Sequence, residues 1–212
     1  MKLQVAFDLL DLEKCLEIAR KIEPYVDRFE IGSVLLYKYG VQAIESFRKE
    51  FPHKELLADT KIVNQGKELS ALALNAGADW ITVMAGMPQQ FIHATCAYAH
   101  EKNKNVMLDL LDTPLVGEAS LMAKSLGVNG LLFYVIAEDT QGYASTEKWQ
   151  NVRDNTDIPI YIGSSISRNN IDHILQLHPA GIVLGKAITQ AADPLAELLF
   201  FIEKIQQYKS NK

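Results

Sequence analysis

The sequence predicts an α/β protein, a single-domain (β/α)8 TIM barrel spanning residues 1–212. Three observations carry that reading. Short apolar runs recur along the chain without polar alternation, as strands buried on both faces of a parallel sheet do. Each run is followed by a longer segment with apolar residues three and four apart, the helical period. The length suits one such barrel, commonly a little over 200 residues. The rival, a doubly wound open sheet, normally carries a glycine-rich turn after an early strand. The first turn here, "DLLDLEK", has no glycine.

The units follow in order. The strand-like runs are "LQVAFD" (3–8), "VDRFEIG" (26–32), "KELLAD" (54–59), "DWITVM" (79–84), "NVMLDL" (105–110), "NGLLFY" (129–134), "IPIYIG" (158–163) and "AGIVLG" (180–185). The helical segments after them are "LEKCLEIARKI", "GVQAIESFRKEF", "GKELSALALNAG", "QQFIHATCAYAHEKN", "LVGEASLMAKSLG", "STEKWQNVRDN", "RNNIDHILQLH" and "DPLAELLFFIEKIQQY". Several stop at glycine or a basic residue, a common helix ending. Only the last residues, "KSNK", read as a frayed tail.

Composition excludes several function classes. Net charge is −5, and no basic stripe with interleaved aromatics occurs, so nucleic acid is not an expected partner. No apolar run approaches the roughly 18 residues of a membrane span. "MKLQVAFD" enters a strand pattern directly and does not read as a signal peptide. Cys15 and Cys96 lie far apart in helical segments and read as buried thiols of a cytoplasmic protein.

In this fold the chemistry sits at the C-terminal ends of the strands. Strand 1 ends in Asp8, and strand 2 carries Glu30. Strand 3 ends in Asp59 with Lys61 just beyond, and Asn64 follows. Strand 5 carries Asp109, and strand 6 ends in Tyr134. A single acid at a strand end is more often a surface carboxylate or a helix cap. Four at one rim repel one another, and burial raises their pKa unless a cation is present. Lys61 supplies one positive charge. Glu30 and Asp59 offer oxygen ligands of the kind Mg²⁺ takes. The histidines, at 53, 93, 100, 173 and 178, fall within or beside helices, which disfavours a histidine-built zinc site. On the other side, Gly163-Ser164-Ser165 and Gly185-Lys186 put small residues between a strand and a helix. Backbone N–H groups there would face an anion, and loops after strands 7 and 8 are the usual phosphate site of the fold.

These residues also carry a resemblance. "KLQVAFDLLDLE", "FEIG", "LLADTKIVNQGK", "GADWITV", "VMLDLLD" and "VLGKAITQAADP" resemble the orotidine-5′-phosphate decarboxylase suprafamily. The nearest branches are 3-hexulose-6-phosphate synthase and 3-keto-L-gulonate-6-phosphate decarboxylase. The specific core is an Asp-x-Lys-x-x-Asp motif, here Asp59, Lys61 and Asn64. The resemblance implies a homodimer with active sites at the interface. It implies Mg²⁺ on Glu30 and Asp59, and a phosphorylated sugar reacting through a 1,2-enediolate. Lys61 would sit beside the enediolate oxygen, and Asp8 would hold substrate hydroxyls. The synthase adds formaldehyde to ribulose 5-phosphate, whereas the decarboxylase removes CO₂ from a keto-gulonate phosphate. Asp109 favours the synthase, whose strand 5 carries Asp where the decarboxylase has Glu. "ADTKIVNQGK" and "ADWITV" lean toward the decarboxylase. The chain departs from the pattern at Asn64 (Asp in the family), Tyr134 (His), Ala137 (Arg in the decarboxylase) and Ser164-Ser165 (Gly-Gly). A sugar-phosphate-binding homologue with lost or altered catalysis is the third reading those departures support. Serines serve in the phosphate loop only where no positive φ is required.

Overall fold

Parallel pairing of every strand with its neighbour closes the sheet into a barrel, β1-β2-β3-β4-β5-β6-β7-β8 and back to β1. A computed structural model of the chain describes residues 1–135 and 143–210. The strands are β1 (Lys2–Phe7), β2 (Arg28–Ile31), β3 (Glu55–Ile62), β4 (Trp80–Met84), β5 (Asn105–Asp109), β6 (Gly130–Tyr134), β7 (Ile160–Gly163) and β8 (Gly181–Leu184). The helices around them are α1 (Leu12–Ile22), α2 (Ser33–Tyr39), α3 (Val41–Glu50), α4 (Gly66–Asn75), α5 (Gln89–Glu101), α6 (Val116–Ala123), α7 (Tyr143–Arg153), α8 (Ile171–Gln176), α9 (Lys186–Thr189) and α10 (Pro194–Ser210).

Alternation along each strand divides the core in two. Outward residues such as Val5, Phe7, Phe29 and Ile31 pack under the helices. There Phe7, Phe29, Phe47 and Phe51 form a cluster of tilted and edge-on rings 5.1–6.0 Å apart. Inward residues Ala6, Leu57, Trp80, Met107, Leu132, Tyr161 and Val183 fill the barrel itself. Gly181 exists because Tyr161 needs its place. A Cβ there would sit 2.6 Å from the Tyr161 ring and 2.9 Å from the Lys2 carbonyl.

The structure corrects the element reading at three points. A helix, α2, fills the turn after β2, where the sequence showed none. It is separated from α3 by Gly40 at φ 59°, a conformation suited to glycine. Strand β3 runs on to Ile62 through an irregularity between Ala58 and Ile62. Of the tail read as frayed, Lys209 and Ser210 are helical, the Ser210 hydroxyl donating to the Gln206 carbonyl, while Asn211 and Lys212 lie outside the described residues. Asp11 caps α1 as its type favours, its carboxylate accepting the Lys14 N–H at 3.0 Å. Cys15 and Cys96 are buried free thiols, and burial pushes them up to about 11 and about 12. Among the described residues no helix is long and apolar enough to cross a membrane.

Gly181→Ala is expected to lower unfolding free energy by about 1–3 kcal/mol, the usual cost of overpacking. Urea denaturation measures it, and an unchanged midpoint would show that Tyr161 yields without cost.

Candidate active site

The strand ends open into a cavity of about 390 Å³ at the C-terminal mouth of the barrel. Asp8, Glu30, Asp59, Lys61, Tyr134, Gly163, Ser164, Ser165, Gly185 and Lys186 all line it. Asp109 lies just beneath, fully buried. Asn64 does not join them: it is exposed, beyond the end of β3. Ala137 lies outside the described residues.

The geometry centres on Lys61. Its ammonium pairs with Asp109 Oδ2 at 2.6 Å and Asp59 Oδ1 at 3.2 Å. Its Nζ also stands 3.1 Å from the Tyr134 hydroxyl, which itself donates to Asp109 Oδ2 at 2.8 Å. Lys61 reaches this point from a left-handed backbone, φ 43°. That conformation costs a non-glycine residue of order 1–3 kcal/mol and persists only where the surroundings impose it. Thr82 on β4 does so: its hydroxyl accepts the Lys61 N–H at 2.8 Å and donates to Asp59 Oδ1 at 2.9 Å. Thr60 answers by donating to the Thr82 carbonyl. One threonine therefore holds both the irregular strand and the carboxylate beside it.

Glu30 and Asp59 are each only 5% exposed. Burial, then the neighbouring charge of Asp59, pushes Glu30 from 4.5 up to about 8, against a lowering hydrogen bond from Gln4. Burial also raises Asp59, with Lys61 opposing and Asp109 adding to the shift. Burial disfavours the Lys61 ammonium, but the charges of Asp59 and Asp109 outweigh it and raise the group. Tyr134 is pushed far up, first by burial and then by the charge of Asp109, so it stays a neutral phenol. None of the histidines lines the cavity.

The donor set fits a hard divalent cation. Among the described residues, Glu30 Oε1 and Asp59 Oδ2 accept no protein hydrogen bond, and both side chains line the cavity. Two adjacent buried carboxylates, both held high in pKa, have only the Lys61 ammonium, which Asp109 holds more closely, so a further positive charge would let them ionise together. No cluster of three or more metal-type side chains occurs among the described residues. Mg²⁺ does not require one, since it usually keeps several waters and takes one or two carboxylates.

Across the mouth, the loop after β7 meets a condition set by the sequence and fails it. Ser164 and Ser165 adopt φ 64° and 48°, left-handed conformations that favour glycine. Asn170 holds this loop, donating to the Ser165 carbonyl at 2.8 Å and accepting the Ser167 N–H at 2.8 Å. Helix α8 begins only at Ile171, so Gly163-Ser164-Ser165 presents loop groups and not a helix end. A Cβ on Gly185 would meet nothing within 4 Å, which leaves open space at the start of α9. Beside it Lys186 is exposed, with no carboxylate partner among the described residues. Asp8 accepts the Val34 N–H at 3.1 Å, and a Cβ on Gly32 would land on its carboxylate. That close approach explains the glycine of "FEIG".

Residues 1–199 match a family profile described as orotidine 5′-phosphate decarboxylase / HUMPS. The chain belongs to that family. Within it, the 3-hexulose-6-phosphate synthase of Bacillus subtilis is 26% identical over 195 residues, covering 91% of this chain and 93% of the relative. The crystal structure of 3-hexulose-6-phosphate synthase from Salmonella typhimurium superposes with TM-score 0.89 at 28% identity, covering 98% of this chain and all of the other. The structure of 3-keto-L-gulonate-6-phosphate decarboxylase from Vibrio cholerae superposes with TM-score 0.86 at 23% identity, 98% of each chain covered. At that identity the last likeness speaks for the fold.

Two side chains that touch the site carboxylates escaped the sequence reading: Gln4, a donor to Glu30, and Thr82. A signal for Gln4 existed. It stands two residues before Ala6 and four before Asp8, a polar residue on the inward face between Leu3 and Val5.

Two measurements check the energetics. The Glu30 proton is bound more tightly in the fold, so its contribution is complete below about 4.5 and lost as pH rises toward about 8. Metal-free protein should therefore lose stability across that window in urea titrations. Glu30→Gln should flatten the slope; equal slopes would show Glu30 ionised throughout. Ser164→Gly should raise unfolding free energy by about 1 kcal/mol by removing left-handed strain. A lowered melting temperature would mean that the serine hydroxyl contributes more than the strain costs.

Proposed function

We propose that the chain is a carbon–carbon lyase of the 3-hexulose-6-phosphate synthase type. The reaction is the Mg²⁺-dependent aldol addition of ribulose 5-phosphate to formaldehyde through an enediolate. The observation that carries this is the Lys61 ammonium between Asp59 and Asp109 at the cavity floor. The relatives named as synthases support it, as does Asp109 on β5.

Each residue has a part in that reading. Glu30 and Asp59 would hold the cation, which supplies Lewis-acid polarisation of the substrate carbonyl. Lys61, kept protonated by its two carboxylates, donates to the oxygen on which enediolate charge develops. Asp109 anchors Lys61 and Tyr134 together. Asp8, at the opposite wall, accepts from sugar hydroxyls. Lys186, beside the open space at Gly185, takes the phosphate, since the 163–165 loop fails the backbone condition for that role. Tyr134 is no proton acceptor in this setting, so the C–H proton must go to a carboxylate of the mouth. The reading extends to a cytoplasmic homodimer. Exposed Leu10 (63%), Tyr37 (93%) and Leu72 (57%) offer apolar surface for a second copy, and Asn64 stands exposed where it would reach the partner.

Tyr134 and Asn64 favour a second reading, a sugar-phosphate-binding homologue with altered catalysis. An amide cannot relay a proton at neutral pH, and a phenol held high in pKa cannot replace an imidazole.

Purified protein with Mg²⁺ should condense ribulose 5-phosphate with formaldehyde, and chelation should stop it. Lys61→Ala should lower kcat by about 10²–10³, the cost of losing one oxyanion donor. A folded protein inert toward these substrates, yet active in decarboxylating keto-gulonate 6-phosphate, would transfer the assignment to the decarboxylase branch. Under the second reading, Asn64→Asp with Tyr134→His raises either activity by orders of magnitude. A fast native enzyme that gains nothing from this pair would refute that reading. Light scattering should give a dimer mass, and Tyr37→Asp should shift it toward monomer.

A further inference from the structure

A line of polar side chains runs through the barrel interior, from the N-terminal end of the strands up to the mouth. It begins at Glu55, the first residue of β3. One oxygen of Glu55 accepts Trp80 Nε1–H at 2.7 Å, and the other accepts Arg28 Nε–H at 2.9 Å. The Arg28 guanidinium lies over two rings, 4.1 Å from the Trp80 centroid and 5.1 Å from that of Tyr161. Its Nη1 donates to Gln4 Oε1 at 3.1 Å. Gln4 Nε2 then donates to Glu30 Oε2 at 2.5 Å. Gln4 is fully buried and Arg28 is 3% exposed, so water cannot replace these partners.

The chemistry of the groups makes this line directional. A guanidinium is only a donor, so the Gln4 amide must turn its oxygen toward Arg28. That leaves the amide nitrogen facing Glu30, and the nitrogen is only a donor. Oε2 of Glu30 is therefore committed as an acceptor, and Oε1 is the oxygen left for the cavity. We propose that Gln4 and Arg28 are positioning residues that lock the Glu30 carboxylate, so that Oε1 is presented to a divalent cation shared with Asp59. The inference rests on the reading of Glu30 as a metal ligand. It adds the reason that a buried arginine, a glutamine and two aromatic rings occupy a barrel interior that apolar side chains could have filled. Partners behind metal ligands typically change affinity by about 10–100-fold when removed.

The test is Mn²⁺ binding to the full-length protein, followed by the electron paramagnetic resonance of the free ion. Gln4→Met keeps volume and removes the amide. Gln4→Asn keeps the amide but cannot reach both neighbours. Each should weaken Mn²⁺ binding by about 10-fold or more, with inorganic phosphate affinity unchanged. Arg28→Met, which frees the amide to turn over, should weaken Mn²⁺ binding as well. In the unmutated protein, Mg²⁺ should shift the NMR signals of the Gln4 side-chain amide. Mn²⁺ affinity unchanged in the Gln4 variants, with only thermal stability reduced, would overturn the inference and leave these residues as packing. Absence of a Gln4 shift on Mg²⁺ saturation would also overturn it. Equal Mn²⁺ binding by wild type and Glu30→Gln would instead refute the metal reading on which it rests.

Discussion

One ammonium holds the mouth of this barrel together. Lys61 stands among Asp59, Asp109 and Tyr134, within reach of all three. Without it, carboxylates from β3 and β5 would face each other in a space from which water is largely excluded, and one would have to take up a proton. Lys61 is itself held by a left-handed backbone that Thr82 imposes through two hydrogen bonds, one to the chain and one to Asp59. Strand pairing, side-chain direction and charge balance at this point are a single arrangement. Replacing Thr82 would disturb all three.

The balance is incomplete, and its incompleteness is chemically useful. Lys61 lies closer to Asp109 than to Asp59, so the Glu30–Asp59 side of the mouth stays short of positive charge. Both of those carboxyls are held above their ordinary range, chiefly by burial. A divalent cation would relieve that deficit. The same buried, preorganised charges are the kind that stabilise an oxyanion as it forms. The side of the mouth formed by the loops after β7 and β8 is built differently. There Lys186 is exposed and unpaired among the described residues, Gly185 leaves space, and two serines are held left-handed by Asn170.

Much of this was legible in the sequence because strands at a barrel mouth obey a simple rule. The last inward residue of a parallel strand faces the cavity, so reading strand ends amounts to reading the site. Asp8, Glu30, Asp59, Lys61, Tyr134 and the loops after β7 and β8 are legible that way, and all line one cavity. The helix after β2 was not legible, because "SVLLYKY" is short and its apolar residues are shared between the barrel and open surface. Gln4 and Arg28 were overlooked for a related reason. Polar residues inside an apolar strand pattern look like interruptions until their partners are known.

By itself, the sequence determined the alternation of strand and helix, the closed parallel sheet, and which side chains converge at its C-terminal end. These follow from hydrophobic period and strand direction, which are local properties. Only the tertiary structure decided how the convergent groups pair. It gave Lys61 to Asp109 more closely than to Asp59, set the half-buried Tyr134 as a donor, left Asn64 outside the cavity, and turned Ser164 and Ser165 left-handed. Such outcomes depend on distances between strands far apart in the chain and on the burial each group meets there. Residue type and spacing encode neither until the barrel has closed.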